Sequence, residues 1–306
     1  MLSSFFSKSK PINYVVVALY MFLLYGIAHY KKGIVLESKE IFLLIIGLAF
    51  YILPMLLLNF ILQRNDITEK GSYTILIYGF LTGVLPHALT DINVLLASGF
   101  ILVGFRNVIR LRNEKEIKAK ILNASLCIGL ASLAYFWSIA FIVLVYVGVL
   151  YFDSKNYRNW IIPIIGVLTI YLFANCFTLL FYDSFYNYSE YLDVASLSFQ
   201  NYLVKDQLFS LGTLSICILF FLALYLIKYS RKAANIKPVL RLIIAYLVIA
   251  VGIAVIAPAK NTSEVFFLCI PLAIMGTTYL EMNYNMLAKE INIWVFLLIP
   301  FTMLLF

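Results

Sequence analysis

Two polar side chains in the segment 86–91 have the types and spacing that proton transfer requires. His87 and Asp91 are four residues apart, so on a helix both would project from one face. A carboxylate beside an imidazole can serve as a general base or hold a polar headgroup. The alternative is a polar turn in which Pro86 breaks the helix. We favour the turn and keep both residues as catalytic candidates.

Two further carboxylates, Glu37 and Glu40, lie in the short polar segment that follows the first apolar run. Each could act as a base at the same membrane face as Asp91. They complete the set of candidate catalytic residues, none of which belongs to a recognisable catalytic motif.

Tyrosines and carboxylates alternate in residues 182–206. Aromatic faces together with hydrogen-bond acceptors suit a sugar ring or a polar lipid headgroup. The same composition is typical of an interfacial helix lying on the bilayer, which we favour, and a partner-binding surface is a third use. The candidate binding residues are Tyr182, Asp183, Tyr186, Tyr188, Glu190, Tyr191 and Asp193.

The sequence predicts no metal or cofactor. Its only histidines, His29 and His87, could at most form a bis-histidine haem site, and two isolated histidines are weak support for one. Four cysteines all fall in apolar runs and form no CxxC pair, so we interpret them as small buried hydrophobes. They are Cys127, Cys176, Cys217 and Cys269.

The elements that must position these residues are membrane helices. The chain has 306 residues, of which 63% are hydrophobic and 12% charged, about half the charge of a soluble domain. Apolar runs of spanning length recur throughout, so the sequence predicts an all-α polytopic bundle, a single domain over residues 1–306. The eleven predicted spans are 12–29, 41–62, 72–89, 92–109, 119–135, 138–152, 159–181, 207–227, 239–257, 264–281 and 291–306.

Basic residues orient this bundle. With eleven spans and a cytoplasmic N-terminus, 18 of the 23 lysines and arginines face the cytoplasm, whereas a single span over 119–152 would divide them almost evenly. The bias therefore favours a hairpin at 119–152, with the C-terminus in the periplasm. The basic segment 106–120 is expected to touch anionic headgroups. Because the positive charge lies in such short clusters, we expect no nucleic-acid partner.

Three segments carry a resemblance to a known group of proteins. Residues 3–13, residues 129–133 (Gly-Leu-Ala-Ser-Leu) and residues 157–163 (Tyr-Arg-Asn-Trp-Ile-Ile-Pro) resemble an uncharacterised family of inner-membrane proteins common in Bacteroidota. Members are sometimes labelled as similar to β-carotene monooxygenase, whose iron is held by four histidines. The two histidines of this chain do not allow that chemistry.

A looser likeness is to membrane glycosyltransferases of the GT-C type, which also combine many spans with acidic residues at the outer face. That resemblance implies an enzyme acting on a lipid-linked sugar, with Asp91, Glu37 or Glu40 as base. The first segment after span one is much shorter here than in those enzymes.

Three functions follow from these features. We favour a non-catalytic subunit of a larger inner-membrane assembly for envelope biogenesis or secretion, with membrane lipids and integral membrane proteins as partners. The GT-C-like enzyme is the second. A lipid or small-molecule transporter is the third, although no predicted span has a charged residue at its centre.

Overall fold

The computed structural model describes residues 2–33, 38–69, 71–186, 195–230, 232–258, 260–282 and 285–305. Within those ranges every regular element is helical, as the sequence predicts. The α-helices are α1 (Leu2–Phe6), α2 (Pro11–Lys32), α3 (Ser38–Arg64), α4 (Tyr73–Gly83), α5 (Pro86–Leu89), α6 (Ile92–Ile109), α7 (Ile117–Ala134), α8 (Ile142–Phe152), α9 (Arg158–Tyr182), α10 (Lys205–Tyr229), α11 (Lys237–Ile256), α12 (Cys269–Leu280) and α13 (Met286–Leu305). Short 3-10 helices cover Arg110–Asn113, Phe136–Phe141, Gln200–Leu203 and Glu264–Leu268.

Seven helices in the described part of the chain are long and apolar enough to cross a membrane: α2, α3, α6, α7, α9, α10 and α11. In hydrocarbon a helix satisfies its own backbone hydrogen bonds, so long apolar sequences adopt this form there. Shorter apolar helices occupy Tyr73–Gly83, Phe136–Phe152 and Glu264–Leu280. These helices indicate a membrane protein.

The predicted hairpin over residues 119–152 is two separate helical segments. α7 ends at Ala134, and Tyr135 is extended, with φ −142° and ψ 105°. The chain then turns through Phe136–Phe141 into α8. The Tyr135 and Phe141 rings pack against Phe267, with centroids 5.4 and 5.9 Å away, which fixes the turn to another part of the bundle.

The third predicted span, 72–89, is interrupted. α4 ends at Gly83 and α5 begins at Pro86, which occupies the first turn of its helix, where a missing N–H costs nothing. Gly79 and Gly83, which are four residues apart, bring α4 against α2. A Cβ at Gly83 would meet Leu24 at 2.5 Å and Pro300 at 3.0 Å, and one at Gly79 would meet Met21 at 3.4 Å.

The interior halfway along the helices is filled by large side chains. Tyr51, Tyr78 and Tyr246 are each fully buried. The Tyr51 hydroxyl lies 3.1 Å from the Thr82 hydroxyl, and Phe105 packs edge-on against Tyr246 at 5.3 Å. α3, α4, α6 and α11 therefore meet in a packed aromatic core.

α9 lies at the periphery, packed along α7. A Cβ at Gly166 would meet the Ser125 hydroxyl at 1.9 Å, and one at Gly129 would meet Ile170 at 2.9 Å. The hydroxyls of Ser132 and Tyr171 are 3.0 Å apart. Small residues thus let the two backbones approach closely, while the other face of α9 carries exposed Leu172, Phe173, Phe177, Leu180 and Phe181.

The connecting segments meet in two groups. One end of the bundle contains Lys260 and is here named the Lys260 end. There Lys32 Nζ donates to the Thr90 carbonyl at 3.1 Å, and Ser210 Oγ donates to the Val84 carbonyl at 2.8 Å.

The opposite end is named the Arg106 end. There Lys232 Nζ donates to the Ile67 carbonyl at 3.4 Å, and the Glu69 N–H donates to the Glu281 carboxylate at 2.8 Å. α1 is attached at this end too, because the Ser72 N–H donates to the Phe6 carbonyl at 2.9 Å.

Candidate functional site

His87 and Asp91 do not share a helix face. His87 is an exposed residue of α5, which ends at Leu89. Asp91 has an extended backbone and is the N-cap of α6, where its carboxylate accepts from the N–H groups of Asn93 at 3.1 Å and Val94 at 3.4 Å. Satisfying these otherwise unpaired N–H groups is a common structural use of an aspartate. The turn interpretation accounts for this geometry.

Glu40 lines a cavity of about 340 Å³ at the Lys260 end, between α2, α3 and the start of α6. His29 and Lys32 line it too, so that a carboxylate, an imidazole and an ammonium share one opening. His29 Nδ1 lies 3.1 Å from the Tyr25 carbonyl, which leaves its other ring nitrogen for a ligand. Thr90 contributes the neighbouring wall. Glu37, the paired candidate, lies outside the described residues.

The structure describes only the first part of the tyrosine-rich segment. Tyr182, the last residue of α9, and Asp183, which follows it, are both exposed, and Asp183 has a left-handed backbone with φ 50°. The Tyr186 N–H donates to the Asn175 side chain at 3.2 Å, folding the chain back onto α9. Four of the candidate binding residues lie outside the described part: Tyr188, Glu190, Tyr191 and Asp193.

Two ionisable residues that are not among the predicted site residues are buried at the Lys260 end. Lys260 and Glu264 are each 1% exposed. The Lys260 ammonium donates to the carbonyls of Ala254 at 3.0 Å and Val255 at 2.5 Å, at the C-terminal end of α11, where a helix dipole favours a cation. The Tyr202 hydroxyl donates to the Glu264 carboxylate.

The segment that buries this pair is residues 195–204. The Ser196 N–H donates to the Ile256 carbonyl at 3.3 Å. Phe199 and Tyr202 place their rings 4.9 and 5.9 Å from the Lys260 ammonium. Burial lowers the pKa of Lys260, and burial together with the bond to Glu264 raises the pKa of Tyr202.

Several polar atoms around Glu264 have no hydrogen-bond partner among the described residues. They are Glu264 Oε2 and the hydroxyl oxygens of Thr262 and Ser263. Thr262 also has a left-handed backbone, with φ 68°. Buried polar atoms without partners are costly, so a polar group bound here would be stabilised. The sequence shows only two charged residues four positions apart between apolar runs, and that spacing does not indicate burial.

The described residues contain no group of three or more histidine, cysteine or acidic side chains that could hold a metal ion. The polar groups at the Lys260 end can bind and orient a polar molecule, and Glu40 is the carboxylate placed beside a cavity there.

The chain belongs to DUF6427, a family of unknown function whose model matches residues 1–306. No curated protein and no solved structure matches it.

Proposed function

We propose that this DUF6427 protein crosses a bacterial inner membrane eleven times and serves as a non-catalytic subunit of a larger envelope assembly. Support for eleven crossings comes from the contacts between connecting segments, which fall alternately at the Arg106 end and the Lys260 end along the chain. The three shorter apolar helices then cross as parts of interrupted spans, and α13, which is 20 residues long, makes the eleventh crossing.

The proposed orientation puts the Arg106 end in the cytoplasm. Four arginines and the ends of α1 and α10 lie there, in accord with the positive-inside rule. Single cysteines at exposed Asn113 and exposed Ser184 test this, in a background where the native cysteines are replaced by alanine. A membrane-impermeant maleimide added to intact spheroplasts should label position 184 and not position 113. The reverse labelling pattern would show that the chain has the opposite orientation in the membrane.

The exposed face of α9 is the observation that carries the subunit proposal. Of the most apolar 18 residues of α9, only 11% are buried, the smallest share among the seven long helices. The helix has tight small-residue packing on one side, against α7, and bulky apolar side chains on the other. A helix held so firmly at the edge of a bundle offers a rigid surface to another membrane protein.

The packed interior also favours a scaffold over a transport pathway. Fully buried Tyr51, Tyr78 and Tyr246 occupy the position halfway along the helices where a transporter would bind its cargo.

The experiment is extraction of native membranes in mild detergent, followed by native mass spectrometry. We expect the wild-type chain to be detected in a complex of fixed stoichiometry. Phe173→Ala with Leu180→Ala should release it, whereas the matched pair Leu19→Ala and Leu23→Ala, on the exposed face of α2, should not. A wild-type chain that migrates alone, or equal release by both pairs, would overturn the proposal.

A second candidate function is a GT-C-like enzyme for a lipid-linked sugar, favoured by the placement of Glu40 beside His29 and Lys32. Glu40→Gln should then alter envelope glycans, while Asp206→Asn, an exposed acid at the start of α10, should leave them normal. Normal glycans in both variants would remove this candidate.

A further inference from the structure

A cavity of about 270 Å³ opens at the Arg106 end and has four arginines in its wall. A single carboxylate, that of Asp66, lines it with them. The full lining is Phe60, Ile61, Arg64, Asn65, Asp66, Arg106, Arg110, Arg112 and Asn113.

Two helix ends bring the arginines together. Arg64 is the last residue of α3, Arg106 is in the last turn of α6, and Arg110 and Arg112 lie in the 3-10 helix that continues α6. α3 and α6 run side by side in the same direction, so both C-terminal ends point at this cavity.

The charges of the cavity do not balance. Each helix C-terminus carries roughly half a negative charge, so the two ends together with Asp66 supply about two negative charges against four guanidinium groups. A net positive charge of about two therefore remains. The two helix ends and Asp66 therefore balance about half of the arginine charge. The remaining positive charge can bind an anion.

An apolar groove continues from this cavity along the membrane-facing side of α3 and α6. It has a volume of about 550 Å³ and is lined by Phe50, Leu53, Pro54, Leu56, Leu57, Phe60, Gly99, Phe100 and Val103. Phe60 belongs to both linings. The guanidinium groups of Arg64 and Arg106 lie 5.6 and 5.4 Å from the centre of its ring. The charged cavity and the apolar groove therefore form one continuous surface.

The dimensions of the groove match one leaflet. Its wall on α3 runs from Phe50 to Phe60, about 15 Å of helix at 1.5 Å per residue. The hydrocarbon core of a bilayer is about 30 Å thick, so one leaflet contributes about the same length. At the deep end of the groove Gly99 lets the Phe50 ring lie directly against α6, because a Cβ there would meet that ring at 2.8 Å.

We propose that this surface binds an anionic phospholipid, with the headgroup phosphate among Arg64, Arg106, Arg110 and Arg112 and an acyl chain along the groove. Guanidinium groups form paired hydrogen bonds with phosphate oxygens, and their planar shape allows them to rest on an aromatic ring at the same time. A lipid satisfies both halves of the surface, whereas a free anion would use only the charged cavity.

The charge of the ligand is tested on the purified full-length chain by native mass spectrometry with phosphatidylglycerol. We expect one saturable binding event. Arg106→Gln with Arg110→Gln should weaken it about 30-fold, because each basic residue near an anionic headgroup contributes a factor of about five. The matched control is Lys155→Gln with Arg158→Gln, two exposed cations before and at the start of α9, which should bind as the wild type does.

The groove is tested separately. Val103→Trp fills it and should weaken phosphatidylglycerol binding, whereas Val143→Trp, at an exposed position on α8, should not. Equal binding of phosphatidylcholine, displacement by excess inorganic phosphate, or full affinity in the double arginine variant would each overturn the proposal. These readouts use the isolated chain, so they are independent of whether it belongs to a larger assembly.

Discussion

Replacing Gly166 by alanine places a methyl group where α9 meets α7. The new Cβ would lie 1.9 Å from Ser125 Oγ and 2.7 Å from Ser125 Cβ, well inside the 3.4 Å of ordinary contact. One of the two clashing atoms is Ser125 Cβ, which is bonded directly to the backbone. Rotation of the Ser125 hydroxyl therefore cannot relieve the clash. α9 must move, and the packing with α7 must loosen.

The expected loss follows from two opposing effects. Overpacking in a close contact costs about 1–3 kcal/mol, and alanine recovers about 0.5–1 kcal/mol relative to glycine in a helix. We therefore expect Gly166→Ala to lower the free energy of unfolding by about 1–2 kcal/mol. Unfolding in mixed micelles by increasing fractions of sodium dodecyl sulfate, followed by tryptophan fluorescence, measures this difference.

Three companion variants make the test specific. Ser125→Gly removes both clashing atoms and should restore stability in the double variant, whereas Ser125→Ala keeps the Cβ at 2.7 Å and should restore it only in part. Gly212→Ala, at a position with nothing within 4 Å, should be neutral or slightly stabilising. If Gly166→Ala is no worse than Gly212→Ala, or Ser125→Gly gives no rescue, the close approach of α7 and α9 is wrong.

Three further outcomes are expected. Asp91→Ala should lower the free energy of unfolding by about 1 kcal/mol through loss of the α6 N-cap, whereas Asp91→Asn should retain it, as thermal unfolding in detergent can check; equal loss in both would contradict a capping role. Glu290→Gln should speed amide hydrogen exchange at Leu2 and Ser3 about tenfold, because a charged acceptor holds both N–H groups; unchanged exchange would contradict it. Since burial lowers the pKa of Lys260 on folding, the folded chain loses that proton first, and the cost of burying the ammonium falls as the pH rises towards 10.5. The free energy of unfolding of the wild type minus that of Lys260→Met should therefore increase with pH, and a difference that stays constant or decreases would refute this.

The sequence was a good guide to where helices begin and end. Apolar run lengths predicted the long helices, and the distribution of lysine and arginine predicted the break that the structure has at Tyr135. Pro86 is the one sequence signal for the interruption at Val84, because the apolar run around it is otherwise continuous.

The sites were less predictable, since they depend on which segments meet. Lys260 and Glu264 are buried because residues 195–204 fold over them, and no periodicity in the sequence indicates that contact. Arg106, Arg110 and Arg112 were recognisable as a basic segment. That Arg64 joins them depends on α3 and α6 lying side by side, which is a property of the packed bundle.

The attachment of α1 links the first helix of the described chain to the last, α13. The Leu2 N–H donates at 2.7 Å to the carboxylate of Glu290, 288 residues further on. During synthesis the bonds from Ser72 and Tyr73 to α1 can form early, whereas the bonds from Leu2 and Ser3 to Glu290 cannot form until α13 has left the ribosome. Complete attachment of α1 would therefore be a late step in biogenesis, and a chain arrested before α13 would lack the contacts that hold its first turn.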